Sequence, residues 1–272
     1  MKKNIIIFVI AIVITVAISV LLFNNYQKNR VQFTAEQGGL SVATLLAQAK
    51  ESESKGDFLE ESLAYQKLVN HFVSSPDMAK WQKKLEDLNI KLLFSPVVTP
   101  QSELYEIKPG DTLAKIAKQF NTTVELISKS NNLSSDRIIP GRKIKIWKAP
   151  FTIFVDKSQN ILLLKTGEEV FKTYTVSTGK DNCTPVGTFK IVNKLPNPTW
   201  FKSGAVVSPG SPDNVLGTRW MGFDLSGYGI HGTTEPQNLG KQVTEGCVRM
   251  SNAEVEELYT IVPVGTEVTV VD

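Results

Sequence analysis

The sequence predicts a multidomain α+β protein: an N-terminal membrane helix, a short helical module, a βααβ unit and a mainly-β C-terminal domain. Three observations predict it. An apolar stretch opens the chain, helical periodicity runs over residues 38–95, and short alternating strands take over from Phe151. A chain of 272 residues has room for two or three such modules.

Lys2-Lys3-Asn4 precedes an apolar run over residues 5–23, interrupted only by Thr15 and Ser19. At ~1.5 Å per residue the run reaches about 28 Å, enough to cross the hydrocarbon core of a bilayer. Ala17-Ile18-Ser19 has the small-x-small pattern of a cleavage site, but Val20-Leu21-Leu22-Phe23 still follows. A retained signal-anchor over residues 1–30 is therefore expected. Lysines lie on both sides of it, so charge leaves its orientation open.

Residues 31–95 form the helical module. Gly56-Asp57 separates two apolar-periodic stretches, and Phe58, Leu63, Tyr65, Leu68, Val69 and Phe72 trace one broad face. Pro76 breaks the chain before a third helix with Met78, Trp81, Leu85 and Leu88. The Gly-Asp-Phe, Ser-x-x-Tyr and Pro spacing is similar to part of a tetratricopeptide repeat. Stacked repeats need ~3 units to bury a shared core, and only one and a half are visible. A spacer, or a small docking surface for a protein partner, is the expectation, with His71 on a helix surface.

Residues 96–103, with Pro96 and Pro100, read as an extended linker. Over residues 104–147, Asp111 is placed to cap a helix bearing Leu113, Ile116 and Ala117. Thr122 and Glu125 make a capping box for a helix with Val124 and Ile127 inside. Ile139-Pro140-Gly141 then turns the chain into a strand over residues 143–146. Strand–helix–helix–strand with these residues, opening on Tyr105-Glu106-Ile107-Lys108-Pro109-Gly110-Asp111-Thr112-Leu113, resembles a LysM domain. That family binds the N-acetylglucosamine backbone of peptidoglycan or chitin. Because the catalytic motifs lie wholly beyond Phe151, deleting residues 104–147 is expected to weaken retention on sacculi and to leave turnover of soluble muropeptide largely unchanged.

Residues 150–272 form the mainly-β domain. Alternation in Phe151, Ile153 and Val155 suits a half-buried strand, and further strands are expected over 161–165, 170–177 and 188–192. The Gly- and Pro-rich passage over residues 196–229 is too long for scaffold alone and reads as a structureless lid or cleft wall. Ser251 and Glu254 make a capping box for a helix reaching Leu258, and a strand over residues 266–271 closes the domain.

The chemistry gathers in two short motifs. Ile230-His231-Gly232-Thr233 is followed by Thr244-Glu245-Gly246-Cys247-Val248-Arg249-Met250. A cysteine nucleophile needs a base and hydrogen-bond donors for the oxyanion that forms on attack. With His71 far away in the helical module, His231 is the partner that Cys247 requires. Backbone N–H groups of Gly246 and Cys247 are the expected oxyanion donors. If residues 245–249 are extended, Glu245, Cys247 and Arg249 share a face. Arg249 then holds a substrate carboxylate, supports the thiolate, or pairs with Glu245 or another acid. Thr244 contacts substrate or shapes the loop, and Tyr228 and Trp220 are candidate cleft walls. Cys183 and Cys247 admit one disulfide, but the nucleophile motif favours two free thiols.

Read together with Thr184-Pro185-Val186-Gly187-Thr188-Phe189, Asn197-Pro198-Thr199-Trp200 and Leu216-Gly217-Thr218-Arg219-Trp220-Met221, these motifs resemble the L,D-transpeptidase catalytic domain, YkuD-type, of bacterial cell walls. The family often has Ser-His-Gly-Cys where this chain has Thr244-Glu245-Gly246-Cys247, so the second histidine is absent. The resemblance implies a Cys247 thioester on a peptidoglycan stem peptide, with His231 as general base and acid. It also implies that the Gly232 backbone carbonyl orients His231. By the same resemblance, the carbonyl of the stem's third residue would be transferred to the cysteine, D-alanine would leave, and a neighbouring stem's side-chain amine would accept. Water as acceptor gives an L,D-carboxypeptidase instead, and an inert site gives a non-catalytic wall-binding anchor protein.

Charge excludes one partner class. Residues 1–149 carry 20 Lys and Arg against 14 Asp and Glu, whereas residues 150–272 carry 10 against 13, so the catalytic half has no basic footprint for nucleic acid. No metal-ligand spacing, phosphate loop or dinucleotide fingerprint occurs, so neither metal nor cofactor is expected. Peptidoglycan and, through the N-terminal helix, the membrane are the expected partners, with the catalytic part outside the cytoplasm.

Overall fold

Helix α1 (Val42–Lys55) starts where Ser41 Oγ accepts from the Thr44 N–H at 3.0 Å, and ends at Gly56 in the left-handed region. Asp57 caps α2 (Phe58–His71) by accepting from the Glu60 N–H, and Leu45, Leu68 and Trp81 bury together. Helix α3 (Met78–Leu93) follows. This computed structural model describes residues 40–202 and 204–272. The apolar run over residues 5–23, expected to be a membrane helix, lies outside them. Among the described residues no helix is long and apolar enough to cross a membrane. The chain divides into two compact units, residues 1–81 and 82–272.

In the second unit, β1 (Ser102–Glu106) pairs antiparallel with β2 (Lys143–Trp147), with Tyr105 opposite Ile144. Between them lie α4 (Leu113–Gln119) and α5 (Val124–Ser130), packed on Ile107, Ile144 and Ile146. Both expected caps shift by one residue. Thr112, not Asp111, caps α4, and Thr123, not Thr122, caps α5. The physical reason at the first is plain: the Asp111 carboxylate already accepts from Tyr105 OH at 2.9 Å and the Lys108 N–H at 2.8 Å.

This small unit is fused to its surroundings rather than tethered to them. Buried Lys145 of β2 donates to the Leu92 carbonyl at 2.7 Å and the Ser95 carbonyl at 2.9 Å, closing the C-terminus of α3. Trp147 stacks on Phe151 at 5.2 Å and meets Phe171 edge-on. The Thr123 hydroxyl donates to the Thr260 carbonyl. Leu93, Leu126 and Trp147 share one core with Ile153, Leu164 and Leu258. Removing residues 104–147 therefore strips one side of the strand domain, which corrects the expectation of a separable tether.

The strand domain is built on β3 (Phe151–Asp156), β4 (Ile161–Thr166), β5 (Glu169–Thr175), β7 (Gly187–Pro196), β10 (Arg219–Phe223), β11 (Gly229–His231), β13 (Val248–Arg249) and β14 (Glu267–Val271). They form one eight-stranded sheet in the order β13-β11-β10-β7-β14-β3-β4-β5. Helix α6 (Asn252–Ile261) starts at the expected capping box, where Ser251 Oγ accepts from the Glu254 N–H, and buries Val255, Leu258 and Ile261. Smaller pairs add β6 (Thr178–Gly179) to β12 (Gln242–Thr244), and β8 (Trp200–Lys202) to β9 (Ala205–Val207). The passage over residues 196–229 is thus not structureless. It holds a hairpin and, in β10, an interior strand of the sheet, whose signal was the cluster Arg219-Trp220-Met221-Gly222-Phe223.

Candidate active site

A cleft of about 750 Å³ opens between the β8–β9 hairpin, the turn before β11 and the turn over residues 244–247. His231, Cys247, Arg249, Thr244, Glu245, Trp220 and Tyr228 all line it. The two motifs meet because β11 and β13 pair in parallel, which puts His231 opposite Arg249 two residues beyond Cys247.

The histidine side is rigid. His231 is 3% exposed, on an interior strand. Its Nδ1 lies 2.7 Å from the Gly232 carbonyl, which can only accept, so Nδ1 carries the proton and Nε2 keeps the lone pair. Trp220 stacks on the ring at 6.0 Å, held by its Nε1–H donating to Asn193 Oδ1 at 3.0 Å. Behind it, Asn252 Oδ1 accepts from the Thr218 and Thr233 N–H groups and its amide donates to the Thr233 carbonyl. A Cβ on Gly232 would collide with Asn252 Oδ1 and displace the amide from its hydrogen bonds. Burial pushes the imidazole down to about 4, against the Gly232 hydrogen bond and helped by the Arg249 charge.

The cysteine side is a turn. Thr244 Oγ1 donates to the Cys247 carbonyl at 2.7 Å and accepts from the Gly246 N–H at 3.2 Å. This corrects the expectation for Gly246: its N–H is already engaged. The Cys247 N–H has no partner among the described residues. Gly246 sits at φ +122°, and a Cβ there would come within 2.7 Å of the Tyr228 ring. That backbone also breaks the extended run expected over residues 245–249, since strand β13 begins only at Val248.

The Cys247 thiol donates to the Gly227 carbonyl at 3.5 Å. Burial pushes the thiol up to about 11. The Gly229 backbone opposes this, while the Glu245 charge adds to it and Arg249 counteracts it. Thiol and imidazole are therefore both neutral near pH 7. Arg249, 7% exposed, pairs through Nη1 with Glu235 at 2.9 Å rather than with Glu245, and its Nε is buried without a partner among the described residues. Cys183 and Cys247 are both free thiols, and Cys183 Sγ approaches the Thr244 carbonyl at 4.0 Å.

Asn252, Asn193, Glu235 and the Gly227–Gly229 backbone escaped the sequence reading. Each acts across 14 to 34 residues of chain, and no local spacing marks them. Among the described residues no group of three or more His, Cys, Asp or Glu is placed to hold a metal ion.

Both domains are similar to known families. The profile of the L,D-transpeptidase catalytic domain, YkuD, matches residues 150–270, and that of the LysM domain matches residues 105–147. YkuD of Bacillus licheniformis is 37% identical over 175 residues, 61% of this chain and 98% of that protein. YkuD of Bacillus subtilis is 35% identical over 173 residues, 61% of this chain and 97% of that protein. YqjB of Bacillus subtilis is 44% identical over 126 residues, 44% of this chain and 70% of that protein. The chain belongs to the L,D-transpeptidase family and carries a LysM domain ahead of its catalytic domain.

Proposed function

We propose that this protein is a cell-wall L,D-transpeptidase that cross-links peptidoglycan stem peptides through a thioester on Cys247. The observation that carries the reading is the His231 Nδ1 contact with the Gly232 carbonyl, which leaves the Nε2 lone pair for the thiol in a shared cleft. Thiol and imidazole are both neutral at rest, so the resting nucleophile is a thiol rather than a thiolate. The proton moves from Sγ to Nε2 as sulfur attacks the stem carbonyl. The Cys247 N–H is the oxyanion donor left by the turn, and a donor of this kind contributes roughly 3 kcal/mol. The imidazolium then protonates the departing amine of D-alanine, and the neutral imidazole takes a proton from the incoming nucleophile.

Tyr228 and Trp220 wall the cleft, Thr244 holds the turn that presents the thiol, and Arg249 offers its unpartnered Nε–H to a substrate oxygen. The LysM domain keeps the site beside a polymeric substrate by raising the effective concentration. Both domains act on the wall, so the catalytic part works outside the cytoplasm, with the apolar run over residues 5–23 as its membrane anchor.

Mass spectrometry of muropeptides after incubation with tetrapeptide stems tests the reading. Cross-linked dimers with one D-alanine released per bond support it. D-alanine release without dimers would show an L,D-carboxypeptidase instead.

A further inference from the structure

Glu245 and Arg249 are the charged side chains of the cleft, since His231 is neutral near pH 7. Arg249 is already matched by Glu235 at 2.9 Å. Glu245 is exposed and forms no ion pair among the described residues. The cleft thus holds one uncompensated negative charge two positions from the nucleophile. That charge opposes the thiolate, so it hinders rather than helps the attack that forms the acyl-enzyme. A carboxylate in this place serves the other half of the reaction.

We propose that Glu245 is a specificity-determining residue that receives the cationic amine of the acyl acceptor and steers the acyl-enzyme toward aminolysis over hydrolysis. The assignment rests on the transpeptidase reading and deepens it, because it commits the acceptor to an amine. Leu195, Trp200 and Tyr228 line the same cleft and offer apolar surface to the alkyl chain that carries the amine.

In the step itself, the acceptor ammonium pairs with the carboxylate and releases one proton to solvent. The amine lone pair attacks the thioester carbonyl, forming the C–N bond as the C–S bond breaks. The second amine proton passes to His231 Nε2 and on to the departing Cys247 sulfur. An amide and a free thiol result, with nothing oxidised or reduced.

The test uses the full chain acylated by a tetrapeptide stem and offered, in parallel, Nα-acetyl-lysine as a cationic amine and methanol as a neutral nucleophile. Product ratios by mass spectrometry report how each competes with water. Glu245→Gln is expected to lower the amine-to-water ratio about 10-fold at subsaturating amine, the scale of one charge-assisted hydrogen bond. Glu245→Asp is expected to restore most of it, and the methanol-to-water ratio is expected to hold. An unchanged amine-to-water ratio in Glu245→Gln would overturn the assignment, as would an equal fall for methanol. Failure of the wild-type protein to form any acyl-enzyme would overturn the transpeptidase reading and this assignment with it, which separates the two failures.

Discussion

The two sides of the cleft are built on different principles. His231 lies in an interior strand, stacked by Trp220 and backed by the three hydrogen bonds of Asn252. Cys247 lies on a turn that depends on one threonine hydroxyl and on a glycine at φ +122°. Sheet pairing gives the base a single position, and the Gly232 carbonyl gives it a single tautomer. The turn leaves the sulfur reachable, and the backbone carbonyl of Gly227 holds it instead of a side chain. A rigid base beside a turn-borne nucleophile means that damage to the first side costs stability as well as rate, while damage to the second costs mainly rate.

The largest expected effect is on turnover. Cys247→Ala is expected to abolish D-alanine release from tetrapeptide stems. His231→Ala is expected to lower kcat about 10³-fold, within the usual range for a general base. Steady-state assay of D-alanine release checks both.

Stability against pH separates the sides next. The His231 imidazole stands at about 4 in the folded protein against an ordinary value of 6.5. Between those values the unfolded chain binds the extra proton, so stability rises with pH across the window and is lost as pH falls through it. The difference amounts to about 3 kcal/mol. Urea unfolding at pH 4.5 and pH 7 is expected to show a smaller gap in His231→Gln than in the wild type. An equal gap would place that acid sensitivity elsewhere.

Smaller effects sharpen the contrast. Asn252→Ala leaves two N–H groups and a carbonyl without partners and is expected to cost about 2 kcal/mol of stability. Gly246→Ala strains the turn and presses on Tyr228, so activity should fall at least 10-fold with little change in α-helix or sheet signal. Paired unfolding curves and assays distinguish them. If Asn252→Ala spares stability, the rigid-base description fails.

The smallest expected effect is on the pH midpoint of the Cys247 thiol. Burial dominates the high value of the Cys247 thiol, with the Glu245 charge a lesser contribution in the same direction. Glu245→Gln should therefore move the pH midpoint of iodoacetamide inactivation down by a fraction of a unit at low ionic strength. Superimposable curves would remove the carboxylate from the thiol's electrostatics.

The sequence displayed most of what is local. The helical periodicity of Tyr65, Leu68, Val69 and Phe72, the Ser251 cap and the Phe151–Asp156 alternation are each written within a dozen residues, whereas Leu63, read onto the same face, is exposed. That His231 rather than His71 shares a cleft with Cys247 was also legible, because only two histidines exist and one lies in a helix. The caps of α4 and α5 were misplaced by one position, since Asp111 and Thr112, like Thr122 and Thr123, are equally good caps locally. Tertiary partners chose between them: Tyr105 took Asp111, and Thr260 met Thr123. Arg249 could not be assigned from sequence because its acid, Glu235, lies 14 residues away in a loop without periodicity. The engaged Gly246 N–H was hidden for a related reason, since only the folded turn shows that the Thr244 hydroxyl reaches back to it.

The central claim is that a neutral Cys247 thiol, activated by His231, carries the acyl group. Intact-protein mass spectrometry of the acid-quenched enzyme during turnover of a tetrapeptide stem tests it most directly. The account predicts a mass gain equal to the stem less D-alanine, located on Cys247 by peptide mapping, removed by hydroxylamine and absent from Cys247→Ala. D-alanine release at full rate with no adduct at any quench time, or an adduct that persists in Cys247→Ala, would contradict it.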